Sequence, residues 1–179
     1  MKRVILTGIS ACLLAASINA NAEVEVNLNP VSLIFAAIDM DVLIDVNENI
    51  AVGPTVVMAK YTLGTDSVSV FSLGARGEYA FDGFDVSGVY STVAMDYGTV
   101  SSDISGTKCS MSIFTADTLA GYAWRWDSGM NIKLGGGLRQ TVYMADAFEC
   151  DNGTTESTSF ETEGINMGLG LELSIGKRF

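Results

Sequence analysis

Histidine is missing from this chain of 179 residues. Its absence removes the Ser-His-Asp arrangement and the commonest general base. It also removes histidine-ligated zinc. Basic residues are scarce: 10 Lys and Arg stand against 21 Asp and Glu, for a net charge of −11. With no basic cluster anywhere, the sequence offers nothing to nucleic acid. There is no Walker loop or dinucleotide fingerprint. Gly135-Gly136-Gly137 sits inside a strand pattern, where glycine marks close packing rather than phosphate binding. Beyond the first residues, no apolar run is both long and charge-free enough for a membrane helix, which needs ~20 residues. Yet 48% of residues are hydrophobic and the mean hydropathy is +0.31. A barrel with an apolar outer face resolves that tension, since no single stretch of it need be continuously apolar.

The start of the chain is of a different kind. Met1-Lys2-Arg3 is followed by the apolar run from Val4 to Ala16 and then by Ala20-Asn21-Ala22. That is the order of a signal peptide: basic region, apolar region, small-residue cleavage site. Residues 1–22 are therefore expected to be a signal peptide and 23–179 the mature domain. Ile9-Ser10-Ala11-Cys12 loosely resembles a lipoprotein box, but apolar residues continue past it. Cleavage after Ala22 leaves 8 basic and 21 acidic residues, a net charge of −13. Two of the three cysteines remain, Cys109 and Cys150. Export places them in an oxidising compartment, where a disulfide is the default state.

The mature chain reads as alternating strands. At the carboxyl end, Ile165, Met167, Leu169, Leu171, Leu173 and Ile175 alternate with polar or small residues, the period-two signature of a strand with one apolar face. Ile38, Met40, Val42, Ile44 and Val46 alternate in the same way with Asp39, Asp41, Leu43 and Asp45. Further strands are expected at about 50–62, 68–81, 85–99, 113–126 and 130–144. Pro54 predicts a bulge in the first of these, and a change of parity near Gly88 predicts another. The first strand has two readings. One runs from Val24 to about Ile34 and gives eight strands; the other is a bent strand over Val31–Val46 and gives seven. Short polar turns at Asn47-Glu48-Asn49, Asp82-Gly83-Phe84 and Asp127-Ser128-Gly129 alternate with longer polar stretches at Leu63–Ser67, Val100–Ser112 and Ala145–Glu163.

Parity sorts the charges and aromatics. Asp39, Asp41, Asp45, Arg76, Glu78, Asp117, Arg125, Lys133, Arg139 and Glu172 fall on inward faces. An eight-stranded barrel is just wide enough to be filled by side chains, so these charges form an interior network, with Glu172 expected to meet Arg139 or Lys133. Phe81, Phe84, Trp124, Trp126 and Phe179 lie by the short turns, and Tyr61, Tyr97 and Tyr143 lie towards the long connections, beside Phe71 and Phe114. Two such bands match the aromatic girdles of a membrane barrel. A Cys109–Cys150 bond would join the connections around the sixth and seventh strands. The acidic set Asp146, Glu149, Asp151, Glu156, Glu161 and Glu163 lacks calcium-loop spacing and reads as solvated charge. No catalytic residue, metal site or cofactor is assigned.

The signal peptide, the apparent strands, the turn–loop alternation and the terminal Phe179 resemble the small eight-stranded bacterial outer-membrane β-barrels: the OmpX, OmpA membrane domain and OmpW-like group. The resemblance implies an all-β, antiparallel, up-and-down transmembrane barrel in a Gram-negative outer membrane. It implies a monomer in contact with lipid bilayer and lipopolysaccharide, delivered by the barrel-assembly machinery. The terminal Phe179 with Ile175, Leu173 and Leu171 fits the assembly signal of that group, while Lys177 departs from it. The lipid A-modifying barrels of this size use a catalytic histidine, which this chain lacks. The expected function is a non-enzymatic structural or interaction role in the cell envelope. The alternatives are a narrow channel for small or apolar molecules, a carboxylate-dependent lipid-modifying enzyme, and a soluble periplasmic ligand-binding barrel.

Overall fold

The computed structural model describes residues 22–34, 36–104, 106–143, 149–150 and 165–179; at residues 143, 149, 165 and 166 only the backbone is described. Residues 1–21 of the expected signal peptide, most of the acidic stretch after Tyr143, and the Tyr143 side chain lie outside those bounds.

The elements follow the alternation. They are β1 (Val24–Leu28), a one-turn helix α1 (Pro30–Ile34), β2 (Ala37–Asp45), β3 (Ile50–Leu63), β4 (Asp66–Ala80), β5 (Gly88–Ile104), β6 (Thr107–Arg125), β7 (Met130–Tyr143), the two-residue β8 (Glu149–Cys150) and β9 (Ile165–Arg178). All pairings are antiparallel, and β9 pairs with both β7 and β1. The sheet therefore closes into an eight-stranded barrel of β1–β7 and β9, with β8 appended to β6.

The register fixes the shape. From Asn27, successive partners are Asp41, Thr55, Gly74, Asp96, Thr115, Thr141 and Asn166. Asn27's own partner on β9 is Gly176, ten positions further along. A stagger of ten over eight strands, at ~3.3 Å per residue and ~4.8 Å per strand, tilts the strands by about 40°.

Several expectations are corrected. The first strand is short: Asn29 caps α1 through its side-chain oxygen to the Val31 amide, at 3.0 Å, and Pro30 takes the first helical position. The eight-strand reading stands and the seven-strand reading falls. No bulge forms at Pro54, because β2–β3 and β3–β4 keep one register throughout. The ladder skips Val42 and Leu43 opposite Pro54 and Gly53 instead. None forms near Gly88 either, because Phe84 and Val86 belong to the turn before β5 and not to the strand.

The stretches at Leu63–Ser67 and Val100–Ser112 are not loops. Leu63 pairs with Asp66 and Ile104 with Thr107 across tight turns in which Gly64 and Gly106 take left-handed φ of 65° and 84°. The β5–β6 hairpin thus stands as a paired arm above β7, whose pairing with β6 stops at Ile113–Tyr143, while β4 accompanies it up to Ser67–Asp103. Cys109 is part of that arm, in β6, and is disulfide-bonded to Cys150 of β8, with 4.1 Å between their α-carbons.

Outward positions carry the apolar side chains: Phe71, Leu73, Val93, Met95, Leu134 and Leu138 are all exposed. The described apolar core is small and lies at the short-turn end, where Leu43, Ala51, Ala80 and Phe84 pack together.

Gly53 marks the closest backbone approach in the wall: a Cβ there would lie 1.7 Å from the Val42 carbonyl oxygen, whereas one at Gly168 would meet nothing within 4 Å. Gly53→Ala is expected to destabilise the barrel by about 1–3 kcal/mol or more through backbone displacement, and Gly168→Ala by less than about 0.5 kcal/mol. Urea titration of the purified protein, followed by its gel shift on unfolding, checks both.

Candidate functional site

Inward side chains meet in one network near the short-turn end of the lumen. Lys133 of β7 is fully buried. Its ammonium lies 2.5 Å from Glu25 of β1 and 2.6 Å from Glu78 of β4. Arg76 of β4 reaches Glu172 of β9 at 2.6 Å, and Asp41 of β2 and Glu78 at 3.5 Å each. The amide of Asn27 donates to Glu25 at 2.9 Å and to Asp41 at 2.8 Å. Asn27, Asp41, Arg76, Glu78, Lys133 and Glu25 therefore close a ring of contacts across the lumen. Arg125 of β6 joins it at Glu78, 3.3 Å away. Tyr90 of β5 donates to Glu172 at 2.9 Å. Every barrel strand except β3 contributes a member.

Small residues make room for this. A Cβ on Gly135 or Gly121 would lie 2.5 or 2.8 Å from the Tyr90 hydroxyl. The two glycines form the floor on which the ring of Tyr90 rests, with the Lys133 ammonium 5.8 Å from the ring centre.

Beneath the network the turn between β4 and β5 folds inwards. Phe84 is 3% exposed, and the guanidinium groups of Arg125 and Arg178 lie over its ring at 5.3 and 4.8 Å. Phe84 is thus a stopper in the base and not part of an outer girdle. Arg178 pairs with Asp45 and Glu23. A cavity of about 410 Å³ opens at this end, bounded by Phe84, Arg125, Asn131, Arg178 and Phe179. Above the network the lumen is looser. Arg139 grips Asp117 with two bonds of 2.6 and 2.8 Å, its side chain half-exposed, and Thr55 donates to Asp96. Asp39 accepts from the Asn29 amide at 3.0 Å.

All ten charges expected inside face the lumen or its rim. Glu172 does not meet Arg139 or Lys133: it crosses to Arg76 and Tyr90. Sequence reasoning left out Glu25, Asn27, Tyr90, Asp96 and Arg178. Parity with Asn29 on β1, and with Glu172 on β9, would have placed Glu25, Asn27 and Arg178. On β5 the parity shared by Val89, Val93, Met95 and Tyr97 would likewise have placed Tyr90 and Asp96 on the inner face. Of the aromatics assigned to girdles, Phe81, Trp124, Trp126, Tyr61, Tyr97 and Phe179 are exposed on the outside. Among the described residues no group of acidic or cysteine side chains is placed to hold a metal ion.

No family model matches the chain, and no curated protein matches it. Among solved structures, a major outer membrane protein from Thermus thermophilus is similar to it with a TM-score of 0.52 and 14% identity, over 88% of this chain and 98% of that one. At that identity the likeness is one of fold.

Lys133→Met would leave Glu25 and Glu78 buried without their shared cation, and is expected to cost about 3–5 kcal/mol. Arg139→Ala, at the wet end, is expected to cost about 1 kcal/mol or less. Comparing denaturant midpoints of the two variants with the parent checks the ranking, and equal losses would contradict the division of the lumen.

Proposed function

We propose that the protein is an integral outer-membrane β-barrel without catalytic activity, closed at its short-turn end by the lumen network. Its role is then structural or adhesive, exercised through the arm and the connections above the opposite rim, which the Cys109–Cys150 bond ties together. The observation that carries the reading is the inversion of polarity: ion pairs fill the inside while large apolar side chains cover the outside. Two strands give the height of the apolar band. Phe71 and Phe81 bracket the part of β4 nearer the short turn, and Phe114 and Trp124 bracket the barrel part of β6, ten residues apart in each case. Ten residues at ~3.3 Å, tilted by about 40°, span about 25 Å along the axis, the height of an apolar band in such barrels.

Lys177, next to the terminus and outward, holds its ammonium 5.4 Å above the Phe179 ring. At the edge of the band its stem can lie along apolar surface with the charge in water. The ionisable groups gathered in the lumen are engaged with one another, which supports a plug over an active centre. On this reading the protein is a monomer placed by the barrel-assembly machinery, its arm among lipopolysaccharide head groups.

Fractionation and planar-bilayer recording test the proposal together. The protein is expected in the envelope pellet after alkaline carbonate washing, released only by detergent, and silent in bilayers. Recovery in the soluble fraction overturns the membrane placement, and reproducible single-channel steps overturn the plug. A further expectation concerns the cysteines. Protein purified from the envelope should react with no thiol reagent until reduced, after which two groups alkylate. By chain entropy the crosslink is worth ~3–4 kcal/mol.

A further inference from the structure

The two sides of β9 are unequal. Towards β7 it is paired from Met130–Lys177 up to Val142–Ile165. Towards β1 the pairing stops at Leu28–Ile175, because β1 gives way to α1. Val24 and Phe179 exchange both main-chain bonds, at 3.2 and 2.9 Å. Odd-numbered residues of β9 therefore aim their N–H and C=O at the β1 side, as antiparallel pairing requires. Above Ile175 these are Leu173, Leu171, Leu169 and Met167, and among the described residues no strand meets them.

Exposure says the same by a separate route. Leu169 and Leu171 are 85% and 83% exposed, against 50% and 54% for Leu138 and Leu134, which point outwards from the adjacent β7. The excess belongs to side chains with a neighbour on one flank only. β2 rises no further than Ala37, and α1 packs against β2 and β9 with Val31, Leu33 and Ile34 exposed. Among the described residues the wall thus has a slot beside β9 at the height of the outward leucines. Behind it lies the looser half of the lumen, where Gly168 leaves open space opposite Arg139.

On the membrane reading, on which this inference rests, free main-chain groups cannot face hydrocarbon; they persist only where water or a polar partner reaches them. A second copy cannot supply that partner. Two barrels inserted the same way up are related by an axis along the membrane normal. Their β9 strands, each tilted by about 40°, would cross at about 80°, too steeply for a ladder. The lumen behind the slot holds Asp39, Asp96 and Asp117 against Arg139, so it favours a neutral or cationic group. What fits is a molecule with polar donors at one end and hydrocarbon at the other.

We infer that the slot beside β9, above α1, binds a single-chain amphiphile with an amine or amide head. The head sits in the acidic upper lumen and bonds to the free edge at Leu169 and Leu171. The chain leaves past α1 into the surrounding leaflet.

The test uses the full-length barrel in nanodiscs with dodecylamine carrying a terminal diazirine, photolysis and mapping of adducts by mass spectrometry. Adducts are expected on Val31–Ile34 and Met167–Leu173 at about tenfold the density on outward residues of β5. Unlabelled dodecylamine should compete and dodecyl sulfate should not. Gly168→Trp fills the open space behind the slot and should cut the slot adducts about tenfold, with labelling elsewhere and the gel shift of the folded barrel unchanged. Uniform labelling around the barrel overturns the inference, as does a Gly168→Trp barrel that labels like the parent. Equal competition by dodecyl sulfate overturns the choice of head group. A protein that fails to enter nanodiscs fails the membrane reading itself, an outcome distinct from uniform labelling in a protein that has entered.

Discussion

A single buried ammonium sets the terms for the interior. Lys133 has no contact with solvent, and an unmatched charge in that position would not be tolerated. Its two carboxylates come from β1 and β4, far apart in the chain and on different parts of the wall. They converge on one point only when the sheet is closed. Closure of the barrel and neutralisation of Lys133 are therefore one event. The ring through Asn27, Asp41 and Arg76 extends the same condition to further strands. Such networks are not efficient sources of stability, because desolvation offsets much of the attraction. Their effect is selective: a sheet closed in another register would strand several of these charges away from their partners.

The outer and inner faces divide the physical work differently. Outside, apolar side chains need only be present on the correct parity, and their identities vary freely among Leu, Val, Met and aromatic residues. Inside, each member has a specific reach. The floor of glycine under Tyr90 shows how strict this is, since a methyl group there would displace the phenol that holds Glu172. The base adds a second layer in which two guanidinium groups cover Phe84. A turn that would ordinarily be solvated has been drawn into the barrel.

What the sequence made legible follows from which quantities are local. Parity is local, and it assigns each charged side chain a face from its own strand alone. The disulfide was legible because the expected removal of residues 1–22 leaves two cysteines and one intramolecular pairing. Cross-lumen partnership is not local. Glu172 was assigned a neighbour on the adjacent strand, yet it bonds to Arg76 of β4, four strands away in either direction around the ring. That choice depends on the stagger, a sum over all eight registers that no single segment displays. Phe84 failed for a related reason, because its burial depends on guanidinium groups from β6 and the last residues of β9. Pro54 failed the other way: a missing donor was taken to need an extra residue, whereas the ladder simply omits two pairs beside a glycine that lets the strands close up. The arm at β5–β6 read as loop because its serines, threonines and charges look solvated, and solvated strands carry no apolar period.

The stagger of ten has a consequence for how this sequence tolerates change. Because it is even, a walk once around the wall returns to a residue of the same facing, and inside stays inside. A slip of one residue between any two strands would make the total odd, and somewhere a strand would have to turn its charges outwards. Misregistered closures are thus confined to steps of two, each with a different tilt and bore. Insertion of a single residue in a strand can only be absorbed as a local bulge, while a pair could be absorbed by sliding. Over evolutionary time the lengths of these strands should drift in even increments, with odd changes collected in the turns.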